Sequence, residues 1–195
     1  MRDFRSFAGR GRQAFVVALV LSSASMAGIT QASAAEIFDE LRFGATASIS
    51  DGSNQENGAF PSLTVFFDPL GADSANGLVE KILRPRFHAG ASVATSSTGV
   101  SEIYSGLSWT ADVTERFFVE IGAGATVHDG NLNDDGSEGP KLGCRLLFRE
   151  YAAAGYRFDD HWNLSATVEH ASNANLCDGP NDGLTRAGLM LGYEF

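Results

Sequence analysis

From about residue 40 to the C-terminal Phe195, apolar and polar side chains alternate with a period of two. That period belongs to strands with one greasy face, since successive side chains on a strand point to opposite sides. The alternation predicts eight strands, over residues 40–50, 59–68, 83–95, 101–113, 116–128, 142–158, 162–172 and 183–195, separated by Gly- and Asn-rich punctuation. Helical periodicity is scarce, and the segment 68–81 has room for one short helical turn. One stripe carries Leu41, Phe43, Leu63, Val65, Phe117, Val119, Ile121, Leu189 and Leu191. The other carries Arg42, Arg86, His88, Glu102, Glu120, Arg149, Glu169 and Arg186.

A soluble sandwich or ligand-binding barrel would turn the apolar stripe inward. A membrane barrel turns it outward and pairs its charges inside. Strands of roughly 10–13 residues suit a tilted bilayer crossing. Tyr156, Phe158, Trp162, Tyr193 and Phe195 cluster near strand ends, as an interfacial aromatic girdle would. The expected fold is therefore all-β, an eight-stranded antiparallel transmembrane β-barrel. An even strand count puts both termini in the periplasm. Turns at 69–82, 114–115 and 159–161 then face the periplasm, and loops at 51–58, 96–100, 129–141 and 173–182 face outward. Eight strands leave a lumen filled by side chains, which argues against transport.

Residues 1–34 read as a cleaved signal peptide. Arg2, Arg5, Arg10 and Arg12 precede a short apolar core, Ala14 to Leu21, and Ala32-Ser33-Ala34 is a small-residue cleavage site. The barrel domain then occupies 35–195, as one domain. Those first 34 residues hold four Arg and one Asp, so 10 basic and 23 acidic side chains remain, a net charge of −13. This excludes nucleic acid as an expected partner. The acids cluster in loops, among them Asp129, Asp134, Asp135 and Glu138. Solvated loop charge explains them, and Asp129-x-Asn131-x-Asn133 does not continue as a calcium loop. No cofactor and no metal site is expected. Cys144 and Cys177 both lie in the exported part, where an even count favours a disulfide over a buried free pair.

The candidate chemistry lies near the C-terminus. His170 and Ser172 stand two apart on strand seven, on the same stripe as Leu164, Ala166 and Val168. A polar pair on a lipid-facing stripe is costly unless it serves a purpose. A serine nucleophile needs a base within reach, and the base needs a third group to orient it. The run Glu169-His170-Ala171-Ser172-Asn173-Ala174, followed by Pro180-Asn181-Asp182-Gly183, resembles the PagL family of outer-membrane lipid A deacylases. The resemblance implies an eight-stranded barrel in the bacterial outer membrane and a carboxylic ester hydrolase acting on lipid A of lipopolysaccharide in the outer leaflet. The acyl chain removed would be 3-O-linked. It implies His170 as base, Ser172 as nucleophile and Asn173 as oxyanion donor.

The family's acid position falls on Thr185, which cannot serve as an acid. Pairing arithmetic suggests a substitute. With Phe158 opposite Trp162, the apolar pairs run down to Ala152 opposite Val168, and the next pair is Glu150 opposite His170. Glu150 is accordingly the expected acid and Asp182 the backup. A bulge in strand six would instead turn Glu150 inward. Thr185 also keeps a second reading open, a structural or adhesive barrel that has lost its triad acid. The sequence leaves open whether the barrel forms a homodimer.

Overall fold

The computed structural model describes residues 37–50 and 55–195; the expected signal peptide and its cleavage site lie outside the described residues. Eight strands form: β1 (Phe38–Ser48), β2 (Ala59–Phe67), β3 (Arg86–Ser92), β4 (Glu102–Asp112), β5 (Phe117–His128), β6 (Leu146–Arg157), β7 (Trp162–Ser172) and β8 (Leu184–Glu194). Each pairs antiparallel with the next, and β8 returns to β1, so the sheet closes into a barrel. A short 3-10 turn (Ala72–Ser74) and one helix, α1 (Leu78–Leu83), occupy the β2–β3 connection.

Two strands start later than the alternation suggested. Arg84 leaves α1 with φ −120° and precedes Pro85, which holds its predecessor away from helical backbone, so β3 begins at Arg86 rather than 83. The expected strand from 142 begins only at Leu146. Gly143 takes φ +72°, a left-handed conformation, and Leu142 donates its N–H to Asn131 O instead of continuing a ladder. Cys144 therefore sits in the loop before β6, not on it.

The faces separate as expected. Ile103, Ile121 and Leu189 are 62%, 60% and 58% exposed on the outer wall, while Glu120 and Arg186 are 1% exposed inside. A sheet with its apolar face out and its charges in belongs in lipid. In the lower interior Arg42 bonds Glu40 (2.6 Å) and Glu120 (2.7 Å), and Arg86 bonds Asp39 and Glu120. Both guanidinium groups stack on Phe66, at 4.4 and 4.6 Å. In the upper interior Arg186 bonds Glu56 (2.7 Å) and Glu102 (2.5 Å), and Arg149 pairs with Glu169. Val100, Leu142, Leu147, Ala171 and Leu184 pack into a small apolar plug near the outer mouth. The lumen is thus filled rather than hollow. Gly122, within the Gly122-Ala123-Gly124 run of β5, makes room for the Tyr151 ring: a Cβ there would lie 2.1 Å from it.

These pairs are buried, so losing one partner strands the other. Glu120→Ala leaves Arg42 and Arg86 short of a shared counter-charge. It should destabilise the barrel by about 3–5 kcal/mol, read as a lower temperature or denaturant concentration for loss of the fast-migrating folded band.

Candidate active site

The site depends on a turn at the far end of the barrel. Asp159 accepts hydrogen bonds from His161 N (2.9 Å) and Trp162 N (2.8 Å), and Phe158 N donates to Trp162 O (2.8 Å). Those two N–H groups hold the exposed Asp159 carboxyl below the usual carboxylate range. This tight connection fixes the β6–β7 register without a bulge. Tyr156 then faces Leu164, Ala152 faces Val168, Glu150 faces His170 and Phe148 faces Ser172.

His170, Ser172 and Glu150 all stand on the lipid-facing side; the first two are half-buried and Glu150 is exposed. His170 lies between two neighbours, with Glu150 on β6 and Thr185 on β8 directly opposite it. Its Nδ1 is 2.8 Å from the Thr185 hydroxyl. The position where the sequence lacks an acid therefore does sit at the imidazole, and a hydroxyl fills it. Among the described residues, no hydrogen bond joins Glu150 to His170 or His170 to Ser172. Gly183, at φ +69°, covers the ring edge: a Cβ there would lie 3.1 Å from His170 Cε1 and 3.6 Å from Nε2.

Asn173, the expected oxyanion donor, is bonded within the loop. It is buried, and its side-chain amide donates to Leu142 O (2.9 Å) and Pro180 O (3.2 Å). Its backbone N–H donates to Asn181 Oδ1 (3.0 Å), and its own Oδ1 accepts from Asn175 N (2.8 Å). Every donor of Asn173 is engaged in holding the loop. The chain reverses there: Leu176 N bonds Asn173 O (3.0 Å), with Ala174 at φ 51° and Asn175 at φ 57°. Positive φ at both central residues marks a type I′ turn, which Asn accepts more readily than Ala.

The backup acid is also engaged elsewhere. Asp182 Oδ2 accepts from Lys141 N (2.8 Å), and Asp182 N donates to Lys141 O (3.0 Å), which ties the 173–182 loop to the 129–141 loop. The Cys144–Cys177 disulfide ties the 173–182 loop to the stretch just before β6, with Cα atoms 6.2 Å apart. Lys141 Nζ is taken up by Ser137 O (2.5 Å) and Gly139 O (2.8 Å). Among the described residues no cluster of His, Cys, Asp or Glu could hold a metal ion.

Sequence reasoning missed Thr185 as a ring partner and Gly183 as the ring's cover. A signal for both was present, since the β7–β8 register follows from the same parity that pairs Glu150 with His170. The arrangement as a whole is a held imidazole beside a hydroxyl, at the rim of an apolar wall. If Nδ1–H donates to Thr185, Nε2 carries the lone pair that a base requires.

The sequence model of the family described as Lipid A 3-O-deacylase (PagL) matches residues 85–194, more than half of the chain. Among solved structures, one titled "Crystal structure of the outer membrane enzyme PagL" superposes with a TM-score of 0.60 at 19% identity, covering 78% of this chain and 97% of that one. At that identity the likeness speaks for the fold. No curated protein matches.

The geometry makes Asn173 a support of the loop. Asn173→Ala removes its side-chain bonds and leaves the Leu142 and Pro180 carbonyls short of a donor, a cost of about 1–3 kcal/mol. Protease added to reconstituted barrels should then cut within 173–182 at least tenfold faster, read from fragments after reduction.

Proposed function

The chain belongs to the PagL family of lipid A 3-O-deacylases, and from that membership we propose that it is an outer-membrane esterase releasing the 3-O-linked acyl chain of lipid A. The observation that carries the reading is the His170–Ser172 pair on the lipid-facing wall, its imidazole held by Thr185. Lipid A already lies in the outer leaflet, so the substrate reaches this wall by lateral diffusion. Its acyl chains lie along Phe148, Val168 and Leu189, which are 52%, 48% and 58% exposed. No chain needs to leave the hydrocarbon.

In this mechanism Ser172 Oγ attacks the ester carbonyl carbon while His170 Nε2 takes the hydroxyl proton. The tetrahedral intermediate collapses, the C–O bond to the sugar breaks, and the sugar oxygen receives that proton from His170. Water then attacks the acyl-serine, passing a proton through His170, and the fatty acid leaves. Thr185 holds the ring in the tautomer a base needs. Glu150 supplies the negative charge opposite the imidazolium. With Asn173 engaged, the Ala174 backbone N–H, unpartnered among the described residues, is the donor proposed for the oxyanion, a role worth ~3 kcal/mol in other esterases and proteases. Asn173 then acts by shaping the turn that presents it.

Mass spectra of lipid A from cells expressing the protein should show loss of one acyl chain. Ser172→Ala should abolish that loss while the folded band persists. An unchanged lipid A mass with the intact chain would favour the second reading, a barrel that kept the fold and lost the chemistry. Glu150→Gln should lower deacylation roughly 10- to 100-fold. Adding Thr185→Glu, which places a carboxylate at Nδ1, should restore much of it. Full activity in Glu150→Gln would remove Glu150 from the role.

A further inference from the structure

An exposed apolar helix lies at the other end of the barrel. Four of the six residues of α1 are large and apolar, and none of the six is buried. Leu78 is 75% exposed, Val79 70%, Ile82 56% and Leu83 69%. At ~100° per residue these four fill one continuous arc of the helix, with Glu80 and Lys81 on the opposite side. Such a face is unfavourable in water and stable in lipid. The Trp109 indole N–H donates to Ile82 O (3.0 Å) and ties the helix to the outer wall of the barrel.

Depth follows from the strand positions. Trp109 is three residues from the end of β4 and Ile121 four residues into β5, beside the short β4–β5 turn. At about 3.4 Å per residue that is roughly 10–14 Å along the strands, or about 7–10 Å along the membrane normal at usual tilts, from the periplasmic edge, in the acyl region of that leaflet. Between α1 and the β4–β5 wall runs an apolar groove of about 460 Å³, lined by Leu78, Ile82, Trp109, Ala111, Val119 and Ile121.

A separate polar cavity of about 600 Å³ lies at the barrel mouth, and Lys81, Trp109 and Thr110 border both it and the groove. Arg84 lines the polar side. The other cations of that mouth are already paired: Arg86 with Asp39, Glu40 and Glu120, and Arg157 with Asp112 and Glu194. Glu115 also borders the cavity, exposed to solvent on the turn. Among the described side chains Lys81 and Arg84 have no carboxylate partner, and Arg84 reaches only Ser74 Oγ, at 3.5 Å. An apolar slot at acyl depth, ending at two unpaired cations at headgroup depth, matches one amphiphile. The geometry points to a bound glycerophospholipid of the periplasmic leaflet, one acyl chain in the groove under α1 and its anionic headgroup phosphate on Lys81 and Arg84. The lipid fills the space between helix and wall, which no described side chain occupies.

The full mature chain in vesicles tests this. Trp162→Phe leaves Trp109 as the one tryptophan of the two in the sequence. In phosphatidylcholine vesicles, 5 mol% phosphatidylglycerol brominated on its acyl chains should quench Trp109 at least threefold more than brominated phosphatidylcholine at the same fraction. Lys81→Glu with Arg84→Glu should erase that preference, and the milder Lys81→Gln with Arg84→Gln should weaken it while the folded band stays intact. Equal quenching by both lipids means ordinary boundary lipid and overturns the proposal. So does a preference that survives both double variants, or loss of quenching in a dimer whose second copy covers α1. The readout needs no turnover, so it stands or falls apart from the deacylation assay.

Discussion

Hydrocarbon offers a backbone amide nothing to bond to, and every other feature of this protein follows from satisfying that condition. A spanning sheet must close so that no edge remains, and eight strands with β8 returned to β1 achieve it. Closure then forces the polar half of each strand inward, into a space too narrow for bulk water. The Arg42, Arg86, Arg149 and Arg186 guanidinium groups, each matched to carboxylates and three of them stacked on Phe66 or Phe60, with Arg149 on Tyr104, are the consequence. A filled interior leaves the outer wall as the surface on which chemistry with lipid can occur.

The same ladder assembles the site from a distance. A one-residue slip in β6–β7 would carry Glu150 into the barrel and pair His170 with a different neighbour. The Asp159 turn prevents that slip, at the opposite end of β7 from Ser172. At the outer rim the loop does the complementary work. Asn173, the Asp182–Lys141 exchange and the disulfide fix the residues that follow Ser172. Strand register places the imidazole, and loop bonding places what surrounds the hydroxyl.

Strand count, facing and the Glu150–His170 pairing were legible because period-two alternation is a direct record of the sheet. Phe158 opposite Trp162 determined every pair above it. The late starts of β3 and β6 were harder to see, since Leu142 is apolar and in phase with β6 yet folds into the plug after Gly143 turns left-handed. The loop bonds of Asn173 were illegible for a different reason. A side-chain amide is equally suited to an oxyanion or to a carbonyl, and the carbonyls that claim it, from Leu142 and Pro180, come from parts of two loops whose proximity no local pattern announces. Thr185 was read correctly as a non-acid, but its hydroxyl at Nδ1 emerged only from the geometry.

Glu150 has a consequence for how the barrel floats. A carboxyl group on the outer wall will not sink below the headgroups without cost, so it marks a waterline on β6. Eight residues further along the same face stands Phe158, beside the Tyr156–Phe117 aromatic cluster. That interval is ~27 Å along the strand and about 20 Å along the membrane normal at usual tilts. A belt that short favours a thin bilayer and sets the draught of the molecule. It would bring the polar edge of the leaflet level with the imidazole, at the height where the ester linkages of a glycolipid lie.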